Sequence, residues 1–290
     1  MNKQQWSYEI KPSSGGISLN INEVLEYRDL IFLFVKREFV SKYKQTILGP
    51  LWAIIQPMLT TVVFTVIFGN LAKLTTADVL IADNTVIPSF LFYMIGTILW
   101  TYFSSTVAAT ANTFIANMHI MGKVYYPRLV TPISTALSNL IPLGIQAILF
   151  VIIAIFTHLN GQSRFVPSLL LLLLPLSIIQ IVIFAIGIGI IISALTTKYR
   201  DLHMLVSFGL ELWKYGTPVA YGLLLIPSNW LRLYLLNPVA VIITTVRYGI
   251  FGVGFFSWSS FFVSWIISIL FFVLGVLLFN RIERTFMDTI

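Results

Sequence analysis

Glu211 and Lys214 are opposite charges three residues apart inside a largely apolar run from Met204 to Ile226. On a helix this spacing puts both side chains on one face. Charge at membrane depth is poorly solvated, so such a pair faces a partner or a wet cavity. Two readings stay open: a mutually satisfied pair that fixes helix packing, or a polar point on a path through the bilayer or at its inner gate. Aromatic residues cluster in the same places, with Trp213, Tyr215 and Tyr221 beside the pair and Trp52, Trp100, Tyr102 and Phe103 near other apolar segments. Rings at segment ends commonly form the interfacial belt of a membrane protein.

Other chemistry finds few footholds. Gly122-Lys123 is the one Gly-Lys pair, but Asn117 and Val124 stand where a phosphate-cradling loop needs Gly and Ser or Thr. ATP hydrolysis by that route is excluded. His119, His158 and His203 lack an i+4 partner or a carboxylate cluster, which argues against zinc. Cysteine is absent, so no disulfide, thiolate site or cysteine nucleophile is available. No Gly-x-Ser-x-Gly elbow occurs. Asp78 and Asp83 fall in one loop and Asp201 in another, too scattered for metal-dependent transfer on a polyprenyl substrate.

The elements that must position Glu211 and Lys214 are membrane helices. Hydrophobic residues make up 58% of the 290 residues and charged ones 10%, and the mean hydropathy is +0.90. Six apolar stretches, 51–68, 90–115, 133–156, 169–195, 204–226 and 256–279, each reach the roughly 18 residues that a ~30 Å hydrocarbon layer requires. The sequence therefore predicts an all-α integral membrane domain over 51–290 with six transmembrane helices. Pro57, Pro142, Pro175 and Pro218 fall inside these stretches and remove a backbone donor each. Ala185, Gly189 and Ser193 form a small-residue row that permits close helix contact within the subunit.

Residues 1–20 read as a polar cytoplasmic tail without a cleavable leader. Asn20 and Glu23 resemble a capping pair, so a helix is expected from Ile21 to Lys44, within an interfacial segment 21–50. Acids come early and bases late along it, as the helix dipole favours. Tyr27, Ile31, Val35, Phe39 and Tyr43 form an i+4 row, although the row drifts around the helix and leaves an imperfect apolar face. These features predict an amphipathic helix lying along the membrane surface. Between the fifth and sixth spans, Leu231–Leu236 and Val239–Phe251 are each too short to cross and are divided by Asn237-Pro238, so a re-entrant helical hairpin is expected there.

The net charge of +7 is distributed as membrane orientation requires rather than as a nucleic-acid surface. With six spans and both termini cytoplasmic, the inner segments hold Lys3, Lys11, Arg28, Lys36, Arg37, Lys42, Lys44, Lys123, Arg128, Lys198, Arg200, Arg281 and Arg284. The outer loops keep Lys73, Arg164, Arg232 and Arg247. That asymmetry follows the positive-inside rule.

Four stretches together resemble the permease subunits of type-2 ABC exporters that move O-antigen, teichoic acid or capsular polysaccharide. They are Val35-Lys36-Arg37-Glu38 through Tyr43–Trp52 to Gln56-Pro57; Gly122–Arg128 with Leu137–Leu140; Lys198–Asp201 leading to Leu212–Val219; and Leu236-Asn237-Pro238. The resemblance implies a homodimer joined to two copies of a separate ATPase, which would hold the ATP and Mg2+; no cofactor is expected in this chain. It implies that Lys36, Arg37, Lys123 and Arg128 receive the ATPase stroke. Trp52, Glu211, Trp213, Lys214, Tyr215 and Tyr221 would line the path, and the hairpin with Asn237, Pro238 and Arg247 would cap it outside. In a sugar channel, flat rings on the first and fifth spans can stack on pyranose faces while few strong hydrogen bonds hold the chain. The basic rim suits acidic lipid and a polyprenyl-pyrophosphate-linked polysaccharide, although bases there also simply set topology.

The leading expectation is therefore a permease in the bacterial inner membrane that exports lipid-linked polysaccharide, most readily O-antigen. The alternatives are a drug or small-lipid exporter permease of the same fold and a membrane-embedded glycan or lipid enzyme.

Overall fold

Apolar helices that bury their backbone hydrogen bonds within themselves are the structure that a chain this hydrophobic can form in lipid. The computed structural model describes residues 21–72, 87–113, 116–117, 123, 126–163, 168–198, 202–252 and 254–286, and every regular element among them is helical. Lys3, Lys11, Asn20, Lys73, Asp78, Asp83, His119, Gly122, Val124, Tyr125, Arg164, Arg200 and Asp201 lie outside the described residues, as do the side chains of Glu23, Lys198, His203, Arg281 and Arg284.

Where the sequence predicts one helix from Ile21 to Lys44, two stand: α1 (Ile21–Glu26) and α2 (Arg28–Tyr43), parted at Tyr27. The expected i+4 row is half-buried along its whole length. However, Phe32, Leu33 and Val40 are exposed while Phe34 is buried, so apolar residues occupy the open side as well as the packed side. α2 thus shows no single apolar face, and the expected amphipathic helix is not confirmed. Docking explains the difference: α2 packs on protein, with Phe34 against Tyr126 at 5.6 Å in a buried cluster with Val24 of α1 and Val130.

Gly49–Leu71 is a continuous apolar rod of 23 residues, about 34 Å at ~1.5 Å per residue. It comprises a tight turn at Gly49–Leu51, α3 (Trp52–Phe64) and a wide-turned end at Thr65–Leu71. The other rods long and apolar enough to cross a membrane are α4 (Ser89–Ala111), α5 (Val130–Leu159), Leu169–Thr196, which ends in α6 (Leu174–Lys198), and Trp258–Phe279 within α10 (Trp258–Phe286). Their ends fall within a few residues of the expected ones.

α4 is the centre, buried along nearly all its length against α3, α5 and α6. Small residues let the backbones meet. A Cβ on Gly189 would lie 2.5 Å from Thr110 Cβ of α4, and one on Gly187 would lie 2.6 Å from the Phe272 nitrogen of α10. The small-residue row on α6 thus makes an intrasubunit contact, with Ala185 and Ser193 buried beside it. Phe103 stacks on Phe184 at 5.5 Å across the same seam. Between α6 and α10, Gln180 donates to Ser264 (2.8 Å) and Ser268 (3.4 Å). Such bonds contribute about 0.6 kcal/mol each inside a membrane protein.

The stretch 204–226 departs from expectation. Its helix, α7 (Leu202–Tyr215), has 14 residues, about 21 Å and too short to cross a ~30 Å layer. Gly216-Thr217-Pro218 ends it: proline lacks the N–H that a further turn needs, and its ring disfavours helical geometry in the residue before it. The Thr217 hydroxyl turns back to the Trp213 carbonyl at 2.9 Å. Two helices follow, α8 (Ser228–Tyr234) and α9 (Pro238–Phe251), bent by 104° at their junction. The described residues thus contain five helices fit to cross a membrane, or six if this bent pair counts as one.

Candidate functional site

Directly after Tyr215 the chain leaves helical geometry, and Thr217, Pro218, Val219 and Ala220 are all buried. Carbonyls in such a break lose their helical donors, and in an apolar interior each needs a replacement. Side chains from α9 and its approach supply them. Arg247 Nη1 donates to the Pro218 carbonyl at 2.6 Å and to that of Tyr221 at 3.3 Å, Nη2 to Val219 at 2.9 Å, and Nε to Phe92 of α4 at 3.2 Å. The guanidinium also lies 3.7 Å from the Phe92 ring centroid. Gly96, one turn along α4, leaves the room: a Cβ there would stand 2.6 Å from Nη2 and 2.9 Å from the Val219 oxygen.

Asn237 works at the other end of the break. Its Oδ1 accepts from Val239 N and so caps α9, with Pro238 in the first turn, where its missing N–H costs nothing. Its Nδ2 donates to Thr217 Oγ1 at 3.0 Å and reaches the Gly216 carbonyl at 3.5 Å. Tyr221 Oη donates to the Tyr215 carbonyl at 2.7 Å and lies 2.6 Å from Tyr234 Oη. Asn237, Pro238 and Arg247, expected as parts of an outer cap, thus form a clasp around the end of α7. Gly96, Phe92 and Tyr234 carry no sequence signal for this role.

The remaining candidates separate. On α7, Met204, Phe208, Glu211 and Tyr215 lie exposed along one stripe at 4-3-4 spacing; on α3, Trp52, Gln56, Leu59 and Val63 do the same. These two open faces flank α4 on elements that touch, since Lys214 Nζ lies 5.0 Å from the Phe64 ring of α3. Glu211 and Lys214 form no ion pair. The reading of a mutually satisfied pair is corrected: the Lys214 ammonium lies over the Phe64 ring, while Glu211 is exposed on the open side. Trp213 also turns inward, edge-on to Phe103 at 5.2 Å and to Phe184 at 6.0 Å. Tyr215 and Trp52 remain open.

α3 repeats the chemistry of the break on a smaller scale. Pro57 deprives the Ala53 carbonyl of its helical donor, and Gln146 of α5 replaces it, Nε2 to O at 2.8 Å. Pro57 signalled an orphaned carbonyl at 53; the sequence could not name its donor.

On the side of α2, Arg37 donates to Asn117 Oδ1 at 2.8 Å and lies 4.5 Å from the Phe34 ring centroid. Burial pushes the Tyr126 phenol up, opposed by nearby Arg37 and Arg128. Thr135 donates to Glu38 at 2.8 Å, and burial raises that carboxyl despite this bond and despite Arg37 and Lys42. Arg37 and Arg128 are therefore brought together around Tyr126. Lys36 and Lys123 are exposed. Among the described residues, no three His, Asp or Glu side chains meet as a metal would need.

Residues 29–251 match the family described as ABC-2 type transporter. The chain is 29% identical over 263 residues to an O-antigen export system permease protein RfbA of Klebsiella pneumoniae, covering 90% of this chain and 94% of that one. It is 28% identical to the protein of the same name from Myxococcus xanthus, over 78% and 82% of the two chains. It is 24% identical to the polysialic acid transport protein KpsM of Escherichia coli, over 73% and 77%.

Proposed function

We propose that this chain, which belongs to the ABC-2 type transporter family, is the permease of an exporter that carries lipid-linked polysaccharide, O-antigen in particular, across the bacterial inner membrane. The observation that carries this reading is the end-to-end similarity to O-antigen export permeases, over 90% of this chain. The similarity to the polysialic acid transporter is lower in identity and coverage, which favours O-antigen over capsule. Two copies of the chain would pair and bind two copies of an ATPase subunit, which holds the ATP and Mg2+; no cofactor belongs to this chain.

The open stripes on α3 and α7 support a path lined by these helices. Trp52 and Tyr215 offer flat faces to sugar rings, Glu211 a polar point, and few other groups a strong hold, so a polymer slides. Lys214 and Trp213 act from behind the path, positioning α7 against α3 and α4. Tyr221 closes the outer end with the hairpin. Lys36, Arg37, Lys123 and Arg128, around α2 and the inner end of α5, supply the docking surface for the ATPase. Both termini lie in the cytoplasm.

The test is deletion and replacement of the chain in its host. Loss should leave finished polymer on its polyprenyl carrier inside the inner membrane and none at the cell surface, with full recovery on return of the wild-type chain. Unaltered surface polysaccharide in the deletion strain would overturn the reading.

A further inference from the structure

The guanidinium of Arg247 serves more of the molecule than a passive helix break requires. The break at Pro57 is satisfied by one neutral amide, that of Gln146. At the end of α7 three carbonyls, Pro218, Val219 and Tyr221, converge on one buried cation that also holds the Phe92 carbonyl of α4. A charge inside a membrane domain is costly, whereas neutral amides could have capped the same carbonyls. What arginine adds is a rigid planar fork of five donors, able to fix several acceptors in one geometry. Gly96 and the Phe92 ring form the notch that receives it.

We propose that Arg247 is a positioning residue for export: it pins the non-helical segment 216–221 to α4 and so sets where Tyr215 and Tyr221 stand. The connection is direct. Arg247 holds the Tyr221 carbonyl, and the hydroxyl of the same tyrosine holds the Tyr215 carbonyl, at the end of the open stripe of α7. Because Arg247 belongs to α9 and Asn237 caps α9 while gripping Thr217, the bent pair α8–α9 and the end of α7 form one unit. A displacement of α9 withdraws the fork from the break and frees α7 to change its tilt. This deepens the proposed function and rests on its assignment of α7 to the path.

The test uses the full chain in lipid nanodiscs for hydrogen exchange, and whole cells for export. Arg247→Lys keeps the charge without the fork; Gly96→Ala keeps every donor but fills the notch. Both should raise amide exchange in peptides covering 216–222 by about tenfold or more while α4 stays protected, since the change is local. Export should fall while insertion persists. If Arg247→Lys fails to insert, Gly96→Ala carries the test alone. Exchange at 216–222 that stays at the wild-type level overturns the pin. So does a rise spread evenly through α4 and α9, which marks a packing residue, and so does normal export despite local loosening. Failure of the exporter reading appears separately, as absent polysaccharide export by the wild-type chain, and leaves the exchange result standing.

Discussion

Glu38 sits half-buried on α2 with the Thr135 hydroxyl on its carboxylate. Burial raises its affinity for a proton above that of the unfolded chain, against the opposing pull of Thr135, Arg37 and Lys42. A carboxyl raised in the folded state contributes stability that is complete below the unfolded value and is lost as pH rises through the folded one. At neutral pH the ionised group therefore costs stability. Glu38→Gln keeps an acceptor for Thr135 and removes that cost, so the variant should melt at or above the wild-type temperature at pH 7. It should lose the advantage as the pH falls into the carboxylate range, and melting curves between pH 4 and 8 read this directly. A variant less stable at pH 7 than at pH 5, relative to wild type, would show that the charge is needed for docking. Glu211 and Lys214 carry the same lesson: spacing placed them on neighbouring turns, but the ring of Phe64 decided where the lysine went.

At the scale of elements, α3 and α7 each combine an open stripe with an interruption of backbone hydrogen bonding, α3 at Pro57 and α7 at Gly216-Thr217-Pro218. Each interruption is repaired from an element outside the stripe, by Gln146 of α5 and Arg247 of α9. The α3 repair can be tested by a cycle whose sign changes. Gln146→Leu strands the Ala53 carbonyl, at about 1–3 kcal/mol for a buried group left unpaired. Pro57→Ala returns a backbone N–H to that carbonyl. Gln146 Oε1 is buried with no hydrogen-bond partner, so in the Pro57→Ala background leucine should be neutral or stabilising. Thermal denaturation of the four proteins in lipid gives the coupling directly. Equal losses from Gln146→Leu in both backgrounds would falsify the repair.

For the whole molecule, the number of crossings follows from the length of α7. If the four rods from Gly49–Leu71 through Leu169–Thr196 each cross, they return the chain to the side where it began. A fifth, Trp258–Phe279, brings the C-terminal end back to that side only if the segment from Leu202 to Trp258 makes one net crossing. In the proposed topology α7 would cover about 21 Å of that depth, and the clasped break with the bent pair would complete it. We therefore expect single cysteines placed at Lys36 and Arg284 to react only with a membrane-permeant reagent, and one at Arg232 with an impermeant reagent from outside. The absence of native cysteine makes this a clean measurement. External labelling at 284 with none at 232 would sink the topology.

Apolar run length and charge asymmetry are local sums over side chains. They alone determined that this chain crosses a membrane, where most of its rods begin and end, and which prolines interrupt them. The transport family was legible in the same way, because Val35–Trp52, Leu212–Val219 and Leu236-Asn237-Pro238 retain a recognisable order. The tertiary structure decided which group answers each interruption. A carbonyl freed by a break in helical bonding takes any donor within about 3 Å, and the donors chosen, Gln146 for Ala53 and Arg247 for Pro218, lie 93 and 29 residues away. It also decided that Trp213 faces Phe103 and Phe184 while Tyr215 faces outward, because two residues on a helix turn through about 200° and only the neighbouring helices determine which direction is closed.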